Sequence, residues 1–113
     1  MIAYLEGHII LIENNLVVIK TSEGVGYSVN ILSHLSTELT LEDFLSLHIY
    51  TNVKEDDISL YGFKHNEERE LFTMLIKTSG VGPKLGLAVL SVFSPTQLLN
   101  AVNQNSPEIL NQV

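Results

Sequence analysis

The residues best suited to chemistry form a glycine turn between two apolar segments, Gly80-Val81-Gly82 followed by Pro83 and Lys84. Both glycines permit positive φ and, lacking side chains, let a ligand approach the backbone closely. Because proline is typical of the first position of a helix, the nearby amides are expected at a helix N-terminus, where they bind phosphate oxygens. Val81 is expected to pack into the core, and Lys84 to add a charged contact. The segment therefore predicts a phosphate-binding turn.

A helix, a glycine turn and a second helix together resemble a helix-hairpin-helix, a motif that holds the DNA backbone without reading bases. The alternative is an ordinary αα-hairpin whose glycines only cap and turn the chain, since short helix connections commonly use glycine. If the first interpretation holds, the DNA-contacting residues are Lys77, Thr78, Ser79, Gly80, Val81, Gly82 and Lys84.

The charge of the chain opposes this interpretation. The formal net charge is −7 at pH 7, whereas nonspecific affinity for DNA comes largely from Lys and Arg neutralising phosphates. The field at a surface depends on how charges are distributed and not on their sum. A DNA-binding face is therefore predicted only if cations and backbone amides are concentrated there.

The first half of the chain, which precedes the turn, has the pattern of a small β barrel. Residues 2–63 show the period-two alternation of half-buried strands. Asn14-Asn15 and the segment Glu23-Gly24-Val25-Gly26 are expected to reverse the chain. Five strands without an intervening helix longer than one turn predict a small closed or half-open β barrel, with an OB-fold as the leading candidate. The alternating apolar residues are Tyr27, Val29, Ile31, Leu45, Leu47, Ile49, Ile58 and Leu60.

Residues 64–113 are predicted to be all-α, because the apolar period changes to roughly 3.6 after Phe63. Asn66 is expected to be the N-cap of the first helix, with carboxylates in its first turn. The helix that begins at Pro107 has no stop signal before Val113, so the chain is expected to be part of a longer one. The apolar face of the first helix is Leu71, Phe72, Leu75 and Ile76, and the further helix starts are at Pro83, Pro95 and Pro107.

Several short motifs, in the same order, resemble the RuvA family. The resemblance runs across the whole chain and is far more specific than a single hairpin. It implies an OB-fold domain at 1–63 and a helix-hairpin-helix domain at 64–113 that is cut within a second hairpin near Glu108. The motifs are Met1-Ile2 with Leu5 and Gly7, Gly24-Val25-Gly26-Tyr27, Tyr61-Gly62-Phe63, Glu68-Arg69, Leu71-Phe72 and Leu75 to Lys84.

The resemblance implies a function as well. Family members are the non-catalytic subunits that bind four-way (Holliday) DNA junctions for ATP-driven branch migration in recombination, DNA repair and the SOS response. The implied partners are the RuvB ATPase, held by a third domain that this chain lacks, the RuvC resolvase, and further copies of the chain in a homotetramer or octamer. ATP and Mg²⁺ would be used by RuvB, so no cofactor is expected for this chain. A cytoplasmic location is implied.

The resemblance also changes the meaning of the loop Lys54-Glu55-Asp56-Asp57. Taken alone, its composition predicts a solvated turn, since charged β-turns are common. The family carries an acidic pin at this place, and Glu55 and Asp56 match it. Their carboxylates would project into the centre of a junction and repel phosphates by Coulomb's law.

Two other classes of function remain as alternatives. An enzyme that uses a helix-hairpin-helix, such as a base-excision glycosylase, should carry a catalytic Asp or Lys shortly after the hairpin, and none occurs between Lys84 and Val113. A generic OB module of another repair protein, binding single strands or a protein, leaves the helical half unexplained. Aromatic residues that suit base stacking, the core or a subunit interface are Tyr4, Tyr27, Phe44, Tyr50, Tyr61 and Phe63.

No catalytic residue, metal site or nucleotide site is predicted. The chain has no cysteine, so it has neither a disulfide nor a thiolate metal site. The turn lacks the Gly-x-x-x-x-Gly-Lys pattern of an ATP-binding P-loop. The longest uncharged stretch, Leu85 to Pro107, is broken by polar residues and predicts no membrane span. The histidines, which show no ligand-like spacing, are His8, His34, His48 and His65.

Overall fold

The computed structural model describes residues 1–94, 96–98 and 100. The chain divides into two units, Met1–His65 and Asn66–Val113. The first unit contains β1 (Tyr4–Glu13), β2 (Leu16–Lys20), β3 (Gly26–Ile31), the one-turn helix α1 (Ser33–Ser36), β4 (Phe44–Val53) and β5 (Ile58–Phe63). The second contains α2 (Asn66–Ser79) and α3 (Pro83–Val92), and residues 96–98 and 100 are also helical.

The strands close into a barrel in the order β1-β2-β3-β5-β4. Strand β1 is long enough to serve two neighbours: its first half pairs with β4 and its second half with β2. The register with β2 shifts between Ile9 and Leu11, and such a bulge bends a strand toward its second partner. A short parallel pairing of β3 with β5, through Asn30 and Ile31, completes the closure. The predicted five-stranded OB-fold is confirmed.

The barrel interior is filled by the alternating apolar residues of each strand. Val29, Ile31 and Leu47 are completely buried, and burying one such side chain contributes about 1.5–3 kcal/mol. Ile58 lies on the core-facing side of β5, as the alternation predicts, but it is 64% exposed. Other buried side chains of the barrel are Leu5, Ile9, Val17, Ile19, Leu45, Ile49 and Leu60.

The predicted reversals are where the sequence places them. Asn14 has a φ of 55° between the paired residues Glu13 and Leu16, a conformation that Asn tolerates better than most side chains. Gly24 has a φ of 90° and turns the chain from β2 to β3. Glu42 also has a positive φ, of 76°, which costs a residue with a side chain about 1–2 kcal/mol. Its backbone N–H donates to Ile9 O at 2.8 Å, which fastens this loop to β1.

In the second unit, α2 buries Leu71, Phe72 and Leu75, as the period of 3.6 predicts. A Cβ built on Gly86 would lie 3.2 Å from Phe72 Cε1, so the missing side chain lets α3 pack closely on this ring. Asn66 is the first helical residue, not the residue before the helix, and its amide donates to Glu70 Oε1. The predicted cap is therefore one residue out of place.

The start predicted near Ser94 has the bonding of a capping box. The Gln97 N–H donates to Ser94 Oγ at 3.2 Å, and the Ser94 N–H donates to Gln97 Oε1 at 2.9 Å. These two reciprocal bonds satisfy backbone donors that a helix start otherwise leaves unpaired. The predictions at Pro95, Pro107 and the second hairpin near Glu108 lie outside the described residues.

Candidate nucleic-acid interface

The two glycines of the Gly80-Val81-Gly82 turn have different conformations. Gly80 has a φ of 70°, the left-handed region that glycine enters without cost. Gly82, at a φ of −72° and a ψ of 164°, is the extended N-cap residue of α3. Only Gly80 uses the positive φ that both glycines permit, because the residue before a proline is held in the extended region by the ring of Pro83.

The space around the turn is open. A Cβ built on Gly80 or on Gly82 would meet no heavy atom within 4 Å, apart from the neighbouring residues. Neither glycine is therefore required by packing, and Gly82 is not required by its dihedral angles either. Val81 between them is buried, as predicted, and this side chain anchors the turn while the glycine backbone on both sides faces open space.

The start of α3 presents backbone donors at this open side. The first helical bond runs from the Gly86 N–H to Gly82 O at 2.9 Å, and Pro83 has no N–H. The N–H groups of Lys84 and Leu85 precede that bond and have no helical acceptor. Together with the positive end of the helix dipole, they suit an anion such as a phosphate oxygen.

The local charge differs from that of the whole chain. From Leu71 to Pro107 the sequence contains Lys77 and Lys84 and no Asp or Glu. Both lysines are exposed, at the end of α2 and in the first turn of α3. Two exposed lysines therefore flank the turn along the chain without a nearby carboxylate in sequence, and this local absence of Asp and Glu is a signal that the sequence already contains.

Two predicted contact residues are already engaged through their side chains. Thr78 Oγ1 donates to Met74 O at 2.6 Å, and Ser79 Oγ donates to Leu75 O. Hydroxyl protons held by the preceding helical turn do not donate to a ligand at the same time. The backbone and the lysines, rather than these hydroxyls, are therefore the donors that the turn offers to an anion.

The acidic loop is the tip of the β4–β5 hairpin in the first unit. The Lys54 N–H donates to Asp57 O at 2.8 Å, which leaves Glu55 and Asp56 as the two residues of the reversal. All four side chains are exposed. Burial raises the pKa of the Tyr61 phenol, a hydrogen bond with the Ser59 side chain lowers it, and the Asp57 carboxylate raises it further.

An apolar pair lies directly behind this tip, and the sequence patterns did not predict it. Val53 and Ile58 are cross-strand partners, with exposed fractions of 65% and 64%. We call this pair the apolar rung. Alternation places its side chains on the same side of the ladder as the next two inward pairs, Thr51 with Leu60 and Ile49 with Gly62. The rung continues the core-facing side of the hairpin beyond the end of the barrel.

The aromatic residues do not form one stacking platform. Tyr61 and Phe63 are buried, which removes them from any exposed surface. Tyr4 and Phe44 are exposed, and each makes an edge contact with a histidine, with ring centroids 5.7 Å apart for Tyr4 and His48 and 5.3 Å apart for His8 and Phe44.

Metal-binding clusters and membrane spans are both absent from the described part of the chain. Residues 1–94, 96–98 and 100 contain no group of three or more His, Asp or Glu side chains arranged to hold a metal ion. Over the same residues, every helix is too short or too polar to cross a membrane.

The chain is similar in sequence to proteins of known family. Residues 1–62 match the model of the RuvA N terminal domain. The chain is 42% identical to a protein of Halothermothrix orenii over 99% of its own length and 57% of the relative. A protein of Oleidesulfovibrio alaskensis is 40% identical over the whole chain and 57% of the relative. Each carries the name Holliday junction branch migration complex subunit RuvA.

The chain spans little more than half the length of the relatives that it matches, and the family model covers the barrel from Met1 to Gly62. The closed five-stranded barrel and the resemblance of the sequence motifs agree with this match. The chain belongs to the RuvA N-terminal domain family.

Proposed function

We propose that this chain binds four-way DNA junctions, as the DNA-recognising part of a complex that carries out branch migration. The observation that carries the proposal is the glycine turn: Gly82 has no packing or dihedral reason to lack a side chain, and it lies beside the backbone donors of α3. A phosphate oxygen that approaches the turn would explain this glycine.

The electrostatics of the two sites support the same function. A turn that combines Lys77 and Lys84 with helix N-terminal amides suits the backbone of any duplex. The exposed carboxylates of Glu55 and Asp56 repel phosphates and disfavour a continuous duplex at the barrel. Both sites suit a ligand whose duplex arms contact the glycine turns and which places few phosphates near the acidic tip. A four-way junction bound by several copies of the chain is such a ligand.

The proposal includes the partners implied by the resemblance. A homotetramer, or an octamer of two tetramers, would give each junction arm its own glycine turn, since a fourfold ligand is matched by cyclic symmetry. The RuvB ATPase would supply ATP hydrolysis and Mg²⁺ chemistry, and RuvC would be a further partner. The chain itself would contribute binding and orientation, with no catalytic step.

The experiment that tests the proposal compares three DNA ligands of equal length and base composition: a synthetic four-way junction, a linear duplex and a single strand. Fluorescence polarisation should show the junction bound about tenfold or more tightly than the duplex, a difference of about 1.4 kcal/mol. Sedimentation of the same samples should show several copies of the chain on each junction. Equal affinity for all three ligands would remove the basis of the proposal.

Substitutions in the turn should weaken binding to both junction and duplex, whatever their base sequence, because phosphate contacts carry no sequence information. Lys84→Ala should also reduce the slope of log K against log salt concentration by about 0.9 for each turn that contacts DNA. Gly82→Val should weaken binding while the free energy of unfolding changes by less than about 1 kcal/mol, since its side chain meets no protein atom.

Lys20→Ala is the matched control for Lys84→Ala, because it removes the same charge from an exposed position on β2. It should leave the salt slope at the value of the parent chain. If Lys84→Ala gives the same slope as Lys20→Ala, then the turn is an ordinary helix connection and the lysine only faces solvent.

A further inference from the structure

The apolar rung, Val53 and Ile58, is a surface that the proposed function does not use. Two aliphatic side chains, each about two-thirds exposed, lie side by side at the outer end of the β4–β5 hairpin. In an antiparallel ladder, hydrogen-bonded and non-hydrogen-bonded pairs alternate. Since Lys54 and Asp57 share a hydrogen bond, Val53 and Ile58 form a non-hydrogen-bonded pair, in which the side chains lie closest.

The rung is not needed to fill the barrel. Behind it on the same side of the ladder, Leu60 and Ile49 are buried, and they form the end of the core. The rung lies beyond them and remains exposed. Together the two side chains form a small contiguous apolar patch beside polar residues, which offers a contact surface to another molecule.

The charges beside the apolar rung restrict the chemistry of the molecule that it contacts. The loop between Val53 and Ile58 carries one exposed cation, Lys54, and three exposed carboxylates, so its net charge is negative; the carboxylates are those of Glu55, Asp56 and Asp57. They repel a DNA phosphate, and they also repel the same tip of a second copy, which would bring six carboxylates together. The faces of DNA bases, in contrast, are uncharged and apolar. Base edges carry N–H groups that donate hydrogen bonds to Asp and Glu carboxylates.

We propose that the apolar rung contacts the faces of bases that are unpaired or unstacked at the branch point of a junction, with the carboxylates toward the base edges. The inference rests on the proposed function. In this arrangement the tip acts through two kinds of contact: the carboxylates keep phosphates away, and Val53 and Ile58 provide an apolar surface for the bases that leave the stack. The rung thus stabilises the opened branch point.

The test uses the whole chain and a four-way junction that carries 2-aminopurine beside the branch point, because this base analogue fluoresces more strongly when it is unstacked. The double variant Val53→Thr with Ile58→Thr removes the apolar surface and keeps β-branched residues that favour a strand. Val25→Thr is the matched control, an exposed valine at the turn between β2 and β3.

Binding of the parent chain should raise the fluorescence, and Val25→Thr should raise it equally. The double variant should lose more than about half of this rise while junction affinity, measured by polarisation, falls by less than about threefold, or ~0.7 kcal/mol. Circular dichroism should show that the variant keeps the strand content and the melting temperature of the parent within a few degrees.

Three results would overturn the inference. The first is a double variant that raises the fluorescence as much as the parent. The second is a double variant that forms smaller assemblies in sedimentation without DNA, because the rung would then cover a second copy. The third is a parent chain with no preference for the junction in polarisation. Only this third result also removes the proposed function, so the two failures are distinguishable.

Discussion

Gly7→Ala should unfold the barrel at a much lower temperature than alanine at either of two other barrel glycines, Gly26 and Gly62. A Cβ at Gly7 would lie 2.2 Å from the backbone oxygen of Lys20. Lys20 pairs with β1 on one side and with Gly26 of β3 on the other, so its backbone cannot move away without breaking a ladder. We expect a loss of about 3 kcal/mol or more, a large fraction of the stability of a typical domain.

Thermal unfolding followed by circular dichroism measures this effect. A loss of about 3 kcal/mol corresponds to a fall of roughly 12–24 °C for a domain of this size. Gly62→Ala should show an intermediate effect, because its Cβ would lie 2.6 Å from Val29 Cγ1 and 2.7 Å from Leu47 Cδ1, which are side-chain atoms with some freedom to shift.

Gly26→Ala is the control within the same sheet. Its Cβ would meet only side-chain atoms, the nearest being Val18 Cγ1 at 3.2 Å, and we expect a change of less than about 1 kcal/mol. The order of the three melting temperatures tests the close approach of β1 and β2 at Gly7. A Gly7→Ala variant that melts with Gly26→Ala would contradict the pairing of His8 with Lys20 that brings the two backbones together.

The sequence predicted the barrel because each strand carries its own evidence. Alternation of apolar and polar residues depends only on the local period of a strand. Val29 and Ile31 follow this period, and both are buried. The Asn14-Asn15 reversal was equally local, since it needs only residues that tolerate positive φ. The closure of the barrel could not be predicted from local patterns. The bulge in β1 and the parallel pairing of β3 with β5 depend on residues that are distant in sequence.

Ile58 shows that alternation alone does not predict burial. The pattern correctly places this residue on the core-facing side of β5, but it contains no information about whether another element covers that side. The barrel core ends at the preceding pair on this side, Thr51 with Leu60, and Ile58 lies beyond it with its partner Val53. The apolar rung could therefore be found only from the accessible surface of the folded hairpin.

The glycine turn was predicted as a motif, and part of its backbone conformation could also be predicted from the sequence. Pro83 restricts the residue before it to extended conformations, so the sequence alone could have assigned the positive φ to Gly80 and not to Gly82. The open space around both glycines could not have been predicted, because it depends on how α2, the turn and α3 fold together. That space is the observation on which the proposed phosphate contact depends.

The charges of the acidic tip should oppose the binding of a linear duplex more strongly than the binding of a junction. Two unit charges about 8 Å apart in water interact by ~0.5 kcal/mol, and each tip carboxylate faces more than one phosphate when a continuous duplex crosses the barrel. Two carboxylates thus oppose duplex binding by about 1–1.5 kcal/mol, which is about tenfold in affinity. At an open branch point the phosphates lie farther from the tip, and the same carboxylates oppose binding less.

Glu55→Gln with Asp56→Asn should therefore raise the affinity for linear duplex by up to about tenfold and lower the preference for junctions. Both side chains are exposed, so the melting temperature should stay close to that of the parent. The matched control is Glu23→Gln with Glu38→Gln, which changes the formal net charge equally, from −7 to −5, at two other exposed positions. The control should raise the affinities for junction and duplex by the same small factor. Polarisation titrations of both variants with both ligands measure the two ratios. If the tip variant and the control give the same junction-to-duplex ratio, the acidic loop acts only through net charge, and Glu55 and Asp56 have no specific position in the complex.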